Sequence, residues 1–135
     1  MSRNKIWVID DDRAMRWVLE KTFKEEGFDV TSFEEAQSAL DQLSTDAPDV
    51  ILTDIRMPGM SGLALFEHLR EQPWFAQMPV IFLSGHADVP TAVDAVLRGA
   101  FDFCEKPFSD NALVARVECA LEQSAERLTQ RKRSQ

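Results

Sequence analysis

The sequence predicts an α/β protein built on a parallel sheet with helices on both faces. Two observations predict it. Short apolar runs alternate five times with segments of helical periodicity, and that alternation spans nearly the whole chain. Most of these runs are continuously apolar rather than alternating in polarity, as strands buried on both faces are.

Residues 5–10 (KIWVID) form the first strand, too short for a helix and bounded by acids. Over residues 13–26, Met15, Leu19, Thr22 and Phe23 recur at helical spacing, and Gly27 supplies the stop. Residues 28–33 predict a second strand whose polar interruptions suit a sheet edge. Residues 34–43 predict a helix with Ala36, Ala39, Leu40 and Leu43 on one face. The unit repeats with a strand at 50–53 (VILT) and a helix at 62–71 carrying Leu63, Leu65, Phe66 and Leu69. It repeats again with a strand at 80–84 (VIFLS) and a helix at 88–97 closed by Gly99. The last strand is 101–104, and the last helix runs from 111 to about 128. Strand–helix repeats of this kind demand parallel pairing with crossover helices.

Composition narrows the functional classes. The 135 residues suit one domain, and 44% hydrophobic with 28% charged residues excludes disorder for the bulk of the chain. Fifteen Lys and Arg against 23 Asp and Glu leave a net charge of −8, so direct nucleic-acid binding has no electrostatic footprint. Cys104 and Cys119 form no pair that would suggest a disulfide framework or a zinc module. No apolar run reaches the ~18 residues that span a bilayer, and no signal peptide precedes the first strand. A soluble, cytoplasmic protein with no membrane partner is expected, with a domain over residues 1–122. The polar segment 123–135, ending in a basic RKRS cluster, is expected to be a helical extension or the start of a linker.

The chemistry-bearing residues fall at strand ends. The first strand runs into Asp10, Asp11 and Asp12, the third into Asp54, the fourth ends at Ser84, and Lys106-Pro107 follow the fifth. Ligands of open parallel sheets bind outside the carboxyl ends of the strands. One Asp at a strand end is an ordinary turn former, and Asp12 fits a helix cap. The joint arrangement carries the inference. Carboxylates gathered there repel, which raises their pKa values unless a cation joins them. A hard divalent ion, of which Mg²⁺ is the commonest to keep waters and await a phosphate, is one candidate. Lys106 is the other.

Asp10-Asp11, Asp54, Ser84 and Lys106-Pro107, in this order and spacing, resemble the receiver domain of bacterial two-component response regulators. The resemblance covers roughly residues 5–122. VIDDDRAMRWVLE and LTDIRMPGMSGLAL are similar to NtrC-type, sigma-54-dependent receivers. LSGHADVPTAV and GAFDFCEKPF look more like receivers of the FixJ and dicarboxylate-transport types. The resemblance implies a flavodoxin-like (βα)5 doubly wound sheet in strand order 2-1-3-4-5. It implies that Asp54 accepts a phosphoryl group from a sensor histidine kinase, and that Mg²⁺ is held by Asp11, Asp54 and the backbone carbonyl of Arg56, with Asp10 acting mainly through water. Asp12 is a third acid able to share the ion. Lys106 would pair with the phosphoryl group, Ser84 would donate to it, and Lys106-Pro107 would be cis. Pro58 and Gly62 would shape the loop after Asp54.

For the switch, the resemblance puts Ser84 and Phe103 in the moving positions. This chain has no tyrosine, so the switch would be a packing event; Phe103 also reads as an ordinary buried strand residue. The resemblance also implies that Arg56 and His86 occupy positions that tune acyl-phosphate hydrolysis, although His86 reads more readily as a loop residue without a role. His68 reads as surface. The readout surface would be the fourth helix, fifth strand and fifth helix, to the end of controlling a transcription activator. That surface and the last helix (Leu121, Leu128) offer a homodimer contact, while Val114 and Val117 read as core. Trp17 suits the kinase-docking side, and Trp74 with Phe75 a local plug. The domain would not be an enzyme beyond its own phosphorylation and slow dephosphorylation. Two rivals are a haloacid-dehalogenase-type phosphohydrolase, against which stand Arg13 and Ala14 where a hydroxyl residue is expected, and an interaction module without phosphorylation. A flavin binder shares the fold, but the acidic first loop opposes a flavin phosphate.

Overall fold

A computed structural model describes residues 4–72 and 78–133; Trp74 and Phe75 lie outside them. Five strands pair in parallel: β1 (Lys5–Ile9), β2 (Asp29–Phe33), β3 (Val50–Asp54), β4 (Val80–Ser84) and β5 (Asp102–Glu105). Their order is β2-β1-β3-β4-β5, so the predicted sheet is the observed one. The helices between them are α1 (Arg13–Glu25), α2 (Ala36–Gln42), α3 (Gly62–Arg70), α4 (Val89–Leu97) and α5 (Asp110–Arg133).

The two-residue period of the strands sorts the core into two layers. Trp7, Ile9, Ile51, Val80 and Phe82 face α2, α3 and α4, meeting Ala36, Ala39, Leu65, Phe66, Leu69, Ala92 and Ala95. Ile6, Val8, Leu52, Ile81 and Leu83 face α1 and α5, meeting Leu19, Phe23, Leu113, Val117 and Ala120. Strands covered on both faces need a continuous apolar run, and β1 has one from Ile6 to Ile9 and β4 one from Val80 to Leu83. β2 is an edge strand, as its polar interruptions predict. Gly27 and Gly99 close their helices at φ of 91° and 125°, a region open to glycine.

Several element ends differ from expectation. Glu34 and Glu35 stay outside α2, with Glu35 extended at φ −133° and ψ 146°. A single 3-10 turn, His86–Asp88, precedes α4, so that helix starts one residue later than predicted, with Pro90 in its first turn. β5 is shifted one residue toward Lys106. α5 continues to Arg133, five residues beyond the expected end, because nothing in its sequence breaks a helix. Val114 and Val117 are buried as expected, and Leu121 leans partly buried on the same layer, so it serves the core here.

Candidate phosphoacceptor site

The sheet delivers three carboxylates and one ammonium to a single point. β1 ends at Ile9, so Asp10 and Asp11 open the turn into α1; β3 ends on Asp54. β1 and β3 are adjacent, and the strand order reverses between them, which opens a crevice at their carboxyl ends. Asp10, Asp11 and Asp54 offer carboxylate oxygens that lie within 4.8 Å of one another. Lys106 arrives from the end of β5. Its backbone N–H donates to the Ser84 carbonyl at 2.7 Å, and Lys106-Pro107 is cis. Its Nζ sits 3.2 Å from Asp10 Oδ2 and 3.6 Å from Asp54 Oδ1.

The three acids are held differently. Asp10 is fully buried; its Oδ1 accepts from the Asp12 N–H at 2.9 Å and its Oδ2 from Lys106. Asp54 is 15% exposed, and its Oδ1 accepts from the Ile55 N–H at 2.9 Å. Neither Asp54 Oδ2 nor the exposed Asp11 carboxylate takes a hydrogen bond from any described residue. A donor set made only of carboxylate oxygens, two of its groups with unspent acceptors at a solvent-reached rim, fits a hard, water-keeping cation such as Mg²⁺.

Burial is the chief reason that the Asp10 and Asp54 carboxyls titrate above the ordinary carboxylate value; Lys106 opposes the rise in both, and repulsion from the neighbouring acids adds less. The expected rise is present, with desolvation rather than repulsion as its first cause. The sign for stability follows. A carboxyl with a raised folded pKa binds protons that the unfolded chain has released. Stability therefore falls as pH rises from the ordinary carboxylate value through the raised ones. A bound cation offsets it. Added Mg²⁺ is expected to raise the melting temperature clearly at pH 7 and progressively less as the buffer approaches pH 4.5. Thermal melts across that range check this; a gain independent of pH would contradict it.

The other anticipated residues are distributed around this point. Ser84 is buried, and its Oγ donates to the Gly85 carbonyl at 2.8 Å. Asp12 is the N-cap of α1, accepting from Ala14 N–H at 2.9 Å and Met15 N–H at 3.4 Å, and it is not among the three clustered acids. Arg56 points its Nε at Asp88 Oδ1, 2.7 Å away, and joins the loop after β3 to the start of α4. The exposed His86 pairs through Nδ1 with Glu105 at 2.8 Å. Phe103 is half-buried against the layer beneath α4. His68 is exposed, as read. Trp17 is 62% exposed with Lys21 Nζ 5.3 Å from its ring centre.

Sequence reasoning missed Arg16, whose Nη1 donates to the Asp10 carbonyl at 2.7 Å, Asp88 as the ion partner of Arg56, and Glu105 as the hydrogen-bond partner of His86. It named Gly62 only as loop-shaping. The Gly62 N–H donates to the Ile55 carbonyl at 2.9 Å, and Gly62 lies so close to Asp54 that a Cβ there would stand 1.8 Å from the Asp54 carbonyl oxygen.

A five-stranded doubly wound sheet with an acid cluster and a lysine at its switch point is the arrangement of a phosphoacceptor-type signalling domain. The chain belongs to the response regulator receiver domain family, which it matches over residues 6–118. It is 44% identical over 121 residues to the DNA-binding transcriptional regulator NtrC of Klebsiella pneumoniae, covering 90% of this chain and 25% of that protein. It is 42% identical over 123 residues to the transcriptional regulatory protein FixJ of Bradyrhizobium diazoefficiens, covering 91% of this chain and 59% of that protein. Among solved structures, full-length FixJ from B. japonicum superposes with a TM-score of 0.84 at 41% identity, over 92% of this chain and 60% of that one. NtrX from Brucella abortus superposes with a TM-score of 0.88 at 34% identity, over 97% and 29%. The chain thus spans a quarter to three-fifths of these relatives. No helix among the described residues is long and apolar enough to cross a membrane.

Proposed function

We propose that Asp54 is the phosphoacceptor of this receiver. The observation that carries the reading is its free Oδ2, at a solvent-reached rim beside Lys106 and two further acids. A phosphohistidine on a sensor histidine kinase is the donor. Its N–P bond breaks as a P–O bond to Asp54 forms, the departing ring nitrogen takes a proton from water, and a neutral imidazole and an acyl phosphate remain. Asp10, Asp11, Asp54 and the Arg56 backbone carbonyl would hold Mg²⁺, while Asp12 stays the cap of α1. When bound, Mg²⁺ supplies neutralisation of charge on the phosphoryl oxygens. Lys106 pairs with the same oxygens from the other side. Ser84 exchanges its bond to the Gly85 carbonyl for one to the phosphoryl group, and Phe103 repacks into the space released.

The added charge of ~1.5–2 units and three acceptor oxygens bias the surface of α4, β5 and α5 between two states. Arg56 and His86 set how fast water removes the phosphoryl group. By analogy with the relatives named transcriptional regulators, the output is control of a transcription activator in the cytoplasm, with a homodimer through that surface and the last helix. The acidic domain itself makes no nucleic-acid contact.

Mass spectrometry after acetyl phosphate and Mg²⁺ tests the reading. One phosphoryl adduct per chain is expected, on the peptide containing Asp54 and diminished without Mg²⁺. Catalytic turnover of a generic phosphomonoester would instead favour a phosphohydrolase, and no adduct would leave an interaction module.

A further inference from the structure

Asp10 has four polar atoms, and each is held by a different part of the fold. Its N–H donates to the Phe33 carbonyl of β2 at 3.2 Å, its Oδ1 accepts from Asp12 N–H, and its Oδ2 accepts from Lys106. Its carbonyl accepts from Arg16 Nη1 at 2.7 Å, a short, charge-assisted bond. That carbonyl belongs to the peptide joining Asp10 to Asp11. The Asp11 carboxylate takes no hydrogen bond from a described residue, so its aim is set through the backbone alone. Arg16 also donates its own N–H to the Asp12 carbonyl at 3.0 Å. One residue of α1 therefore grips both ends of the acidic turn: its backbone holds Asp12 and its guanidinium holds the Asp10–Asp11 peptide plane.

We propose that Arg16 is a positioning residue for the cation site, fixing the peptide plane that points Asp11 into the cluster. The proposal rests on the reading of that cluster as a Mg²⁺ site. Groups that orient metal ligands without touching the metal typically govern ~10–100-fold in affinity, and Arg16 belongs at the lower end because it acts through one backbone carbonyl. Coulomb's law alone predicts the opposite: removing a positive charge beside three carboxylates should tighten cation binding. The direction of the change thus separates orientation from charge.

Isothermal titration of Mg²⁺ into the full chain and its Arg16→Ala, Arg16→Gln and Arg16→Lys variants tests this, with thermal melts alongside. Arg16→Ala is expected to weaken Mg²⁺ binding about tenfold. Arg16→Lys and Arg16→Gln, which keep a donor, should recover part of the loss. Labelling by acetyl phosphate should be slow in Arg16→Ala at limiting Mg²⁺ and return to within about threefold of the parent at saturation. Where Arg16→Ala fails to fold, the Lys and Gln variants decide by the same readout. Unchanged or tighter Mg²⁺ binding, even with a lowered melting temperature, overturns the proposal and leaves Arg16 a structural residue. No Mg²⁺ binding by the parent chain overturns the reading beneath it.

Discussion

Asp54→Asn is expected to take up no phosphoryl group from acetyl phosphate and Mg²⁺, and yet to melt at a higher temperature than the parent in metal-free buffer at pH 7. The first half follows from the loss of the nucleophilic oxygen. An amide oxygen in the same place keeps the bond from Ile55 N–H but has no charge with which to attack. The second half follows from the raised pKa of Asp54. A net rise means that its surroundings favour the neutral form even with Lys106 3.6 Å away. An isosteric neutral side chain removes that cost, and the neighbouring Asp10 loses a repelling partner. The gain should be on the order of a few degrees and should vanish as pH falls below the ordinary carboxylate value, where the parent carboxyl is protonated in the folded and the unfolded chain alike. Intact-mass spectra and paired melts read both. A variant less stable than the parent at pH 7 would show that the lysine attraction outweighs burial.

Gly62→Ala is the substitution expected to do most damage away from the charged residues. Alanine ordinarily favours a helix over glycine by about 0.5–1 kcal/mol, so propensity alone predicts a gain. Geometry reverses it. The new Cβ would stand 1.8 Å from the Asp54 carbonyl oxygen, 2.9 Å from its carbonyl carbon and 2.9 Å from Thr53 Oγ1. Two of these are backbone atoms, which cannot rotate aside, so either α3 or the end of β3 must move. Overpacking of this kind costs roughly 1–3 kcal/mol or more, and the strain falls on the acceptor residue itself. Denaturant melts should show the loss of stability, and labelling of Asp54 should fall with it. Gly85→Ala is the control: nothing lies within 4 Å of a Cβ there, and its φ of −71° suits any residue. It should stay within about 0.5 kcal/mol of the parent. Equal effects from the two substitutions would remove the close approach as the cause.

What the sequence revealed follows from which physics is local. β1 and β4 were legible because a strand covered on both faces needs a continuous apolar run, and IWVI and VIFL supply one. Asp10, Asp11, Asp54 and Lys106 were legible because a parallel sheet sends every strand end to the same side. Strand order came from the family resemblance; periodicity does not encode which strands are neighbours. The 3-10 turn at His86–Asp88 was hidden, since its residues carry no apolar pattern to set its period. The Arg56–Asp88 and His86–Glu105 pairs were hidden too, because they span 32 and 19 residues and depend on where long side chains meet after folding. The same holds for Arg16, six residues from the carbonyl that it grips.

At 1.5 Å per residue, the 24 residues of α5 make a rod of about 36 Å, roughly twice the span of a five-residue strand. Among the described residues its buried side chains run from Leu113 to Ala120, in the first half. A rod clamped at one end is a lever. A tilt of ~10° at the clamp would carry the tip of the outer half, about 18 Å long, about 3 Å across, so a small rotation beneath the sheet can be delivered at a distance as a displacement large enough for another surface to register.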